Sequence, residues 1–135
     1  MGSFYSKPIH PRALLGIKLF NTQKYFEAHE ELEFAWREEK GPIRELYRGI
    51  LQVGVGYYHI QNRNYRGGKI MLERAQKWLK PYPKICLGVD VEKLRKDAEV
   101  IYQRLVSGGE KEISQFNTGL FEPVSLVIPD DSPAS

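Results

Sequence analysis

Apolar residues recur at helical spacing along most of this 135-residue chain, in segments separated by turn-forming residues. Their spacing of three and four residues is typical of amphipathic helices, and no strict alternation over the first 107 residues predicts a strand. The breaks fall where glycine, proline or asparagine cluster. They delimit five predicted helices, at Pro11–Phe20, Lys24–Glu38, Pro42–Gln61, Tyr65–Leu79 and from Val91 to about Gly108.

Short connections between these helices favour antiparallel neighbours, so we predict an all-α fold, a compact single-domain helical bundle. The bundle is expected over residues 9–109, with a flexible N-terminus at 1–8 and a short irregular tail at 110–135. Lys84 to Val89 is predicted to be a loop. In the tail, the apolar run Val124–Ile128 predicts an extended segment that lies on the bundle or on a neighbouring molecule. The end of the chain, from Pro129, is expected to be disordered.

The composition of the chain indicates the cellular compartment in which we expect the protein. No apolar run approaches the roughly 20 residues that cross a bilayer, which argues against a membrane partner. The single cysteine, Cys86, cannot form an intrachain disulfide, and this fits a reducing compartment. Met1–Pro8 lacks the basic-then-apolar order of a secretory signal. We therefore expect a cytoplasmic protein.

The net charge of +3 is distributed unevenly. Acids dominate from Glu27 to Glu45, whereas bases dominate from Arg63 to Lys84. Such an asymmetry could attract an anionic partner or pair two copies of the chain, although a solvated helix face is the simpler interpretation. Weak nucleic-acid binding through the basic fourth helix is kept as an alternative. This alternative is not favoured, because Trp78 has the helical register of residues expected in the core and would then not be available to stack on bases.

The second predicted helix carries polar residues on its apolar side. At about 100° per residue, His29 falls beside Tyr25 and Trp36, and Glu33 is also flanked by aromatic residues. Because His29 and Glu33 are four residues apart, their side chains meet on one face. This pair is therefore expected to face the core of the bundle.

The third predicted helix is apolar around most of its circumference, as expected for the buried helix of a bundle. Its one polar stripe contains Arg48, Gln52 and His59, beside Gly49 and Gly56, which would let a neighbouring helix come close. A buried polar group without a partner costs roughly 1–3 kcal/mol, so the polar stripes of the two helices should face each other. We therefore predict a buried cluster of His29, Glu33, Gln52 and His59, with Arg37 and Arg48 at its rim.

Two segments of the chain resemble a known family. The first has Phe20-Asn21, Tyr25–Glu30 and a pattern H-x-x-x-E-x-x-W formed by His29, Glu33 and Trp36. The second has Tyr47–Gln52, Tyr58-His59 and Asn64–Gly67. Between Ala13 and Leu79 the chain is similar to the domain-of-unknown-function 309 family of small bacterial and archaeal proteins.

This resemblance implies an all-helical domain and a metal-binding role for the H-x-x-x-E-x-x-W pattern. The role would fall on His29 and Glu33, with Trp36 as the aromatic residue. Gly68 stands where the resemblance leads us to expect alanine.

Three interpretations of the cluster remain open. A structural or protein-interaction role is favoured, with a second copy or another protein as partner. A metal site is the alternative: His29, Glu33 and His59 could bind zinc, iron or manganese, and an open position would permit hydrolysis. The third is a metal-free pocket for a small polar ligand, with donors from Arg48 and Gln52 and a wall from Trp36. Whether the chain is an enzyme stays uncertain, but we lean against it, because no serine or cysteine nucleophile accompanies a histidine in a recognisable pattern.

Overall fold

The computed structural model describes residues 8–127. Within them the chain forms five α-helices, which confirms the all-α prediction: α1 (Pro11–Asn21), α2 (Tyr25–Glu38), α3 (Arg44–Gln61), α4 (Tyr65–Leu79) and α5 (Val91–Gly108). Two short strands, β1 (Ile85–Cys86) and β2 (Val89–Asp90), connect α4 to α5. Two 3-10 helices, Glu110–Gln115 and Thr118–Leu120, follow α5. The expected disorder from Pro129 lies outside the described residues, as does nearly all of the expected flexible N-terminus.

Side-chain caps explain why several helices begin where they do. Pro11 is the first residue of α1, and His10 Nδ1 accepts a hydrogen bond from Arg12 N at 3.0 Å. Asp90 Oδ1 accepts from Lys93 N at 3.0 Å at the start of α5, as its position before the apolar pattern predicts. These caps satisfy backbone N–H groups that have no partner inside the helix.

The connection between α3 and α4 differs from the expected one. Asn62 and Asn64 are the residues of this turn that best tolerate the left-handed conformation, but Arg63 takes it, with φ of 60°. Asn64 instead caps α4, because its Oδ1 accepts from Gly67 N at 3.0 Å. Capping requires an extended backbone at the cap residue, so the left-handed turn falls on the preceding residue.

The segment predicted as a loop after α4 contains a small hairpin. Ile85 pairs with Asp90, and Cys86 pairs with Val89, in antiparallel register. Leu87 and Gly88 form the turn, with φ of 54° and 79°. Strands of two residues are too short to show the alternation by which a strand is recognised in a sequence.

The central helix of the bundle is α3, which lies between α2 and α4. Nine of its residues are buried, as its nearly all-round apolar pattern predicts. Its contact with α4 depends on glycines. A Cβ atom at Gly49 would lie 2.5 Å from Leu79 Cδ2, and one at Gly56 would lie 2.9 Å from Leu72 Cδ2. We call this close contact of α3 with α4 the glycine contact.

The chain after α5 returns to the bundle. Phe121 is buried and stacks on Tyr57, with ring centroids 4.3 Å apart. Asn21 holds the backbone of Val124 by two hydrogen bonds of 2.8 and 2.9 Å. Leu126 then forms a bridge with Val89. The apolar run of the tail, as far as it is described, therefore lies against this chain itself.

No helix within residues 8–127 combines the length and the hydropathy that crossing a bilayer requires. The cytoplasmic location stays a prediction.

Candidate functional site

The H-x-x-x-E-x-x-W residues lie along the edge of α2 that borders α3. His29 Nε2 lies 3.5 Å from Glu33 Oε1, so the expected contact between these side chains is present. Glu33 Oε2 also accepts a hydrogen bond from Arg37 Nη2 at 2.9 Å. The side chains of His29 and Glu33 keep 30% and 34% of their exposure. Both therefore sit at the rim of the bundle, within reach of solvent.

The prediction of a buried cluster is wrong in this respect. Among residues 8–127, no polar or charged residue is buried as a whole. The helical wheel locates a side chain around the helix axis, but it does not say how far the neighbouring helix covers it. A carboxylate such as that of Glu33 loses less hydration at the rim than in the core, because burying a charge is costly.

A polar pocket of about 240 Å³ lies between α2 and α3. Five of the predicted site residues line it, together with Leu51: His29, Glu33, Trp36, Arg48 and Gln52. Two atoms in this set are unusual. His29 Nδ1 and Gln52 Oε1 are buried, and neither has a hydrogen-bond partner within residues 8–127. Two residues that line the polar pocket thus each carry a buried, acceptor-capable atom that nothing in the described chain satisfies.

An aromatic pocket of about 160 Å³ lies on the other side of His29. It is lined by Tyr25, Phe26, His29, Val55, Tyr58 and His59. The rings of Phe26 and Tyr58 are 5.7 Å apart, and Phe26 is 49% exposed. Sequence reasoning missed Phe26, Tyr58 and Val55 as site residues. An aromatic residue outside the apolar arc of α2 was the available signal for Phe26.

His59 belongs to this aromatic pocket and does not line the polar pocket. Its Nδ1 accepts a hydrogen bond from the Asn64 amide at 3.2 Å. Burial lowers the pKa of His59 from its ordinary value of 6.5, because the charged imidazolium loses hydration. The predicted four-residue cluster is therefore divided between two pockets that share His29.

A ladder of alternating cations and indole rings borders the polar pocket. The Arg48 guanidinium lies 4.7 Å from the Trp36 ring centroid and 4.2 Å from that of Trp78. Arg44 lies over the outer end of the ladder, 4.1 Å from Trp36, and Lys77 lies 5.3 Å from Trp78. Trp78 was expected in the core, but it is half-buried and packs against Arg48. The ladder links α2 to α4 across the surface of α3.

Glu45 fixes the inner part of this ladder. Its carboxylate accepts from Trp36 Nε1 at 3.3 Å and pairs with Arg48 Nε at 2.9 Å. Arg48 is thus held from three sides, which limits its freedom to approach a ligand. Sequence reasoning missed Glu45, although its spacing of three residues from Arg48 on one helix was a usable signal.

Comparison with known proteins agrees with the resemblance noted in the sequence. Residues 14–71 match the family model described as "Domain of unknown function (DUF309)". The similarity to this family covers residues 14–71, somewhat less than half of the chain. A relative in Bacillus subtilis (strain 168), "Uncharacterized protein YpuF", is 28% identical over 102 residues. The alignment covers 72% of this chain and 59% of that relative.

The DUF309 segment contains most of the candidate site. It runs from within α1 to within α4, and it includes every residue that lines the two pockets. Trp78 and Lys77, which complete the ladder, lie beyond it. The matched family thus centres on the α2–α3 region.

The predicted metal ligands are not brought together as a set. Within residues 8–127, no three or more His, Cys, Asp and Glu side chains form a group that could hold a metal ion. His29 and Glu33 are neighbours, but His59 is bonded to Asn64 in the aromatic pocket. Binding of zinc, iron or manganese stays a prediction from the sequence alone.

The one thiol of the chain is poorly suited to act as a nucleophile. Cys86 lies in β1, and it is only 1% exposed. Burial raises the pKa of its thiol to about 11, because the thiolate would lose hydration.

Proposed function

We propose that this chain is a protein-interaction module that receives a short segment of a partner protein in the two pockets beside His29. The observation that supports the proposal is the pair of unsatisfied acceptors, His29 Nδ1 and Gln52 Oε1, next to an exposed aromatic pocket. One peptide segment could occupy both pockets, because they share His29 as a wall.

The polar pocket calls for hydrogen-bond donors. Glu33 Oε1 lies nearest to His29 Nε2, which favours the tautomer with its proton on Nε2 and leaves Nδ1 as an acceptor. Gln52 Oε1 is an acceptor as well. A buried acceptor without a partner costs roughly 1–3 kcal/mol. If the His29 and Gln52 side chains turn their buried acceptors toward the pocket, N–H or O–H groups of a partner would recover that free energy. Backbone amides and hydroxyl side chains are donors of this kind.

The aromatic pocket calls for an apolar side chain. Phe26 and Tyr58 provide ring surfaces, and Val55 provides an aliphatic wall. The two pockets measure about 160 and 240 Å³, which is below the range of roughly 300–1,000 Å³ typical of small-molecule sites. Single side chains of a peptide fit such volumes better than a drug-sized ligand does.

A selection from a random peptide library displayed on phage tests the proposal. We expect the wild-type protein to enrich peptides that carry an apolar side chain next to donor groups, and calorimetry to give one site per chain. Phe26→Ala should weaken binding of the enriched peptide at least tenfold. Val100→Ala is the matched control, because Val100 is an exposed apolar residue of α5 with 53% exposure. No enrichment over a blank surface, or equal loss in both variants, would rule the proposal out.

A further inference from the structure

The α4 helix and the residues that flank it carry seven bases without acidic partners. Within residues 8–127, none of these bases forms an ion pair with a carboxylate: Arg63, Arg66, Lys69, Arg74, Lys77, Lys80 and Lys84. Glu73 is the one acid in the same stretch of sequence, and it accepts a hydrogen bond of 2.6 Å from the Tyr102 hydroxyl. Glu73 lies four residues from both Lys69 and Lys77 on the same side of the helix, and the neutral Tyr102 hydroxyl does not cancel its charge. This side therefore carries more positive than negative charge, and the excess is left for solvent or for a partner.

Four of the bases fall on one side of the helix. Arg66, Lys69, Lys77 and Lys80 lie within about 80° of one another on the wheel. At about 1.5 Å per residue they extend over roughly 21 Å of helix. We call these four residues the basic face. Their spacing places a line of cationic groups along a length comparable to several phosphates of a nucleic-acid backbone.

The acids of α2 do not offer a matching surface on a second copy. Glu31 pairs with Arg12, Glu33 with Arg37, and Glu38 with His10. These carboxylates are already engaged inside the chain. Glu27 and Glu30 are exposed and form no ion pair within residues 8–127, so α2 leaves only these two carboxylates against the four bases of the basic face. A nucleic-acid backbone offers a longer line of negative charge.

The rest of α4 argues against a lipid surface. An interfacial helix inserts an apolar face beside its bases. In α4 that face consists of Leu72, Ala75 and Leu79, and all three are fully buried against the bundle. Trp78 does not offer a free ring either, since Arg48 and Lys77 lie over it, so stacking on unpaired bases is not provided.

From these observations we infer that the basic face binds duplex nucleic acid through its phosphates, without reading the base sequence. Phosphate contacts alone give binding that is independent of sequence and that weakens steeply with salt. The pockets beside His29 take no part in this contact, so it is independent of the proposed peptide site.

Fluorescence anisotropy with labelled DNA and RNA duplexes of roughly 20 base pairs tests this inference. For four phosphate contacts, the logarithm of the association constant of the DNA duplex should fall against that of salt with a slope of roughly −3.6. The combined variant Arg66→Gln, Lys69→Gln, Lys77→Gln and Lys80→Gln should bind at least tenfold more weakly. Comparison of the two duplexes shows whether DNA or RNA is preferred.

A second combined variant tests whether the position of the removed charges matters, or only the change in the net charge of the protein. Lys18→Gln, Lys96→Gln, Arg104→Gln and Lys111→Gln remove the same charge from other exposed positions. It should retain most of the affinity. Equal loss in both variants, no binding at low salt, or equally tight binding of polyglutamate would overturn the inference. Preferential binding to phosphatidylglycerol vesicles would overturn it in favour of a membrane surface. Circular dichroism confirms that both variants fold.

Discussion

The two neighbours of α3 pack against it in opposite ways. On the α4 side, glycines bring the helices together, and leucine side chains fill the space that a Cβ would need. On the α2 side, aromatic and polar side chains meet α3 and leave two pockets. One helix therefore separates a tightly packed side, which favours stability, from an open side that retains unsatisfied polar atoms.

The two neighbours of α3 also differ in how far their charged side chains are paired within the chain. On α2, Glu31 and Glu33 pair with arginines of the same chain, and Glu38 Oε1 contacts His10 Nε2. The groove beside α2 offers hydrogen-bond acceptors and aromatic rings. The bases on the basic face of α4 have no acidic partners within residues 8–127. Close packing and unpaired bases can occur together on α4, because the residues that pack against α3 and the bases lie on different faces of this helix.

Enlarging a residue of the glycine contact should have the largest effect on stability. A Cβ at Gly49 would already lie 2.5 and 2.7 Å from two carbon atoms of Leu79. We expect Gly49→Leu to lower the free energy of unfolding by about 3 kcal/mol or to prevent folding. Urea denaturation followed by circular dichroism measures this.

The matched change on the open side is Val55→Leu. Val55 lines the aromatic pocket, where an added methylene has room, and we expect a change below about 1 kcal/mol. Similar losses in the two variants would mean that the two sides of α3 are packed alike.

Replacing Gln52 by methionine should stabilise the free protein. The substitution keeps the length of the side chain and removes Oε1, a buried acceptor without a partner in the described chain. We expect a gain of about 1 kcal/mol in the free energy of unfolding, together with weaker binding of the selected peptide. Thermal and urea denaturation measure the gain. A loss of stability instead would indicate that ordered water satisfies Gln52 and that the pocket has a structural role.

The ladder through Arg48 connects the α2 side of α3 with its α4 side. The interaction energy of Arg48 with Trp78 can be measured separately. A double-mutant cycle with Arg48→Met and Trp78→Leu removes the contact in which the guanidinium lies 4.2 Å from the ring. We expect a coupling energy of about 0.5–1 kcal/mol, because this pair is only partly desolvated. A coupling energy near zero would show that the two helices are held to α3 independently.

The smallest effect concerns pH and the aromatic pocket. Because burial lowers the pKa of His59 in the folded protein, the unfolded chain binds the proton more readily. Stability from this source is fully present above the ordinary pKa of 6.5, and it is lost as the pH falls from there toward the folded pKa. Denaturation at several pH values should therefore show a smaller decrease on acidification in His59→Asn than in wild type. An unchanged pH dependence in the variant would assign the effect to other groups.

Local signals were sufficient to predict the helices. Pro11 and Asp90 begin helices because of properties that each residue has by itself, namely a fixed φ and a capping side chain. The all-round apolar pattern of α3 was likewise enough to identify the central helix. These features depend on residues within one or two helical turns, so they are visible in the sequence.

The candidate site was predicted only in part. The wheel brought His29 and Glu33 together correctly, because residues four apart meet on one helix. It misplaced His59, which lies two helical turns from Gln52 along α3 and reaches a different pocket. A side chain reaches only those residues of a neighbouring helix that lie at a similar height along the axis. A helical wheel shows the direction of a side chain around the axis, but not its position along the axis.

The sequence by itself determined the number of α-helices, their limits to within two residues, and the face of the helix on which His29 and Glu33 lie. The tertiary structure decided how deeply those faces are covered, which acids find cations, and which acceptors are left without donors. The physical reason is that propensity and periodicity are properties of one helix, whereas burial and pairing are properties of two surfaces in contact. His29 illustrates both: its face follows from its position in α2, and its unsatisfied Nδ1 follows from the way α3 packs beside it.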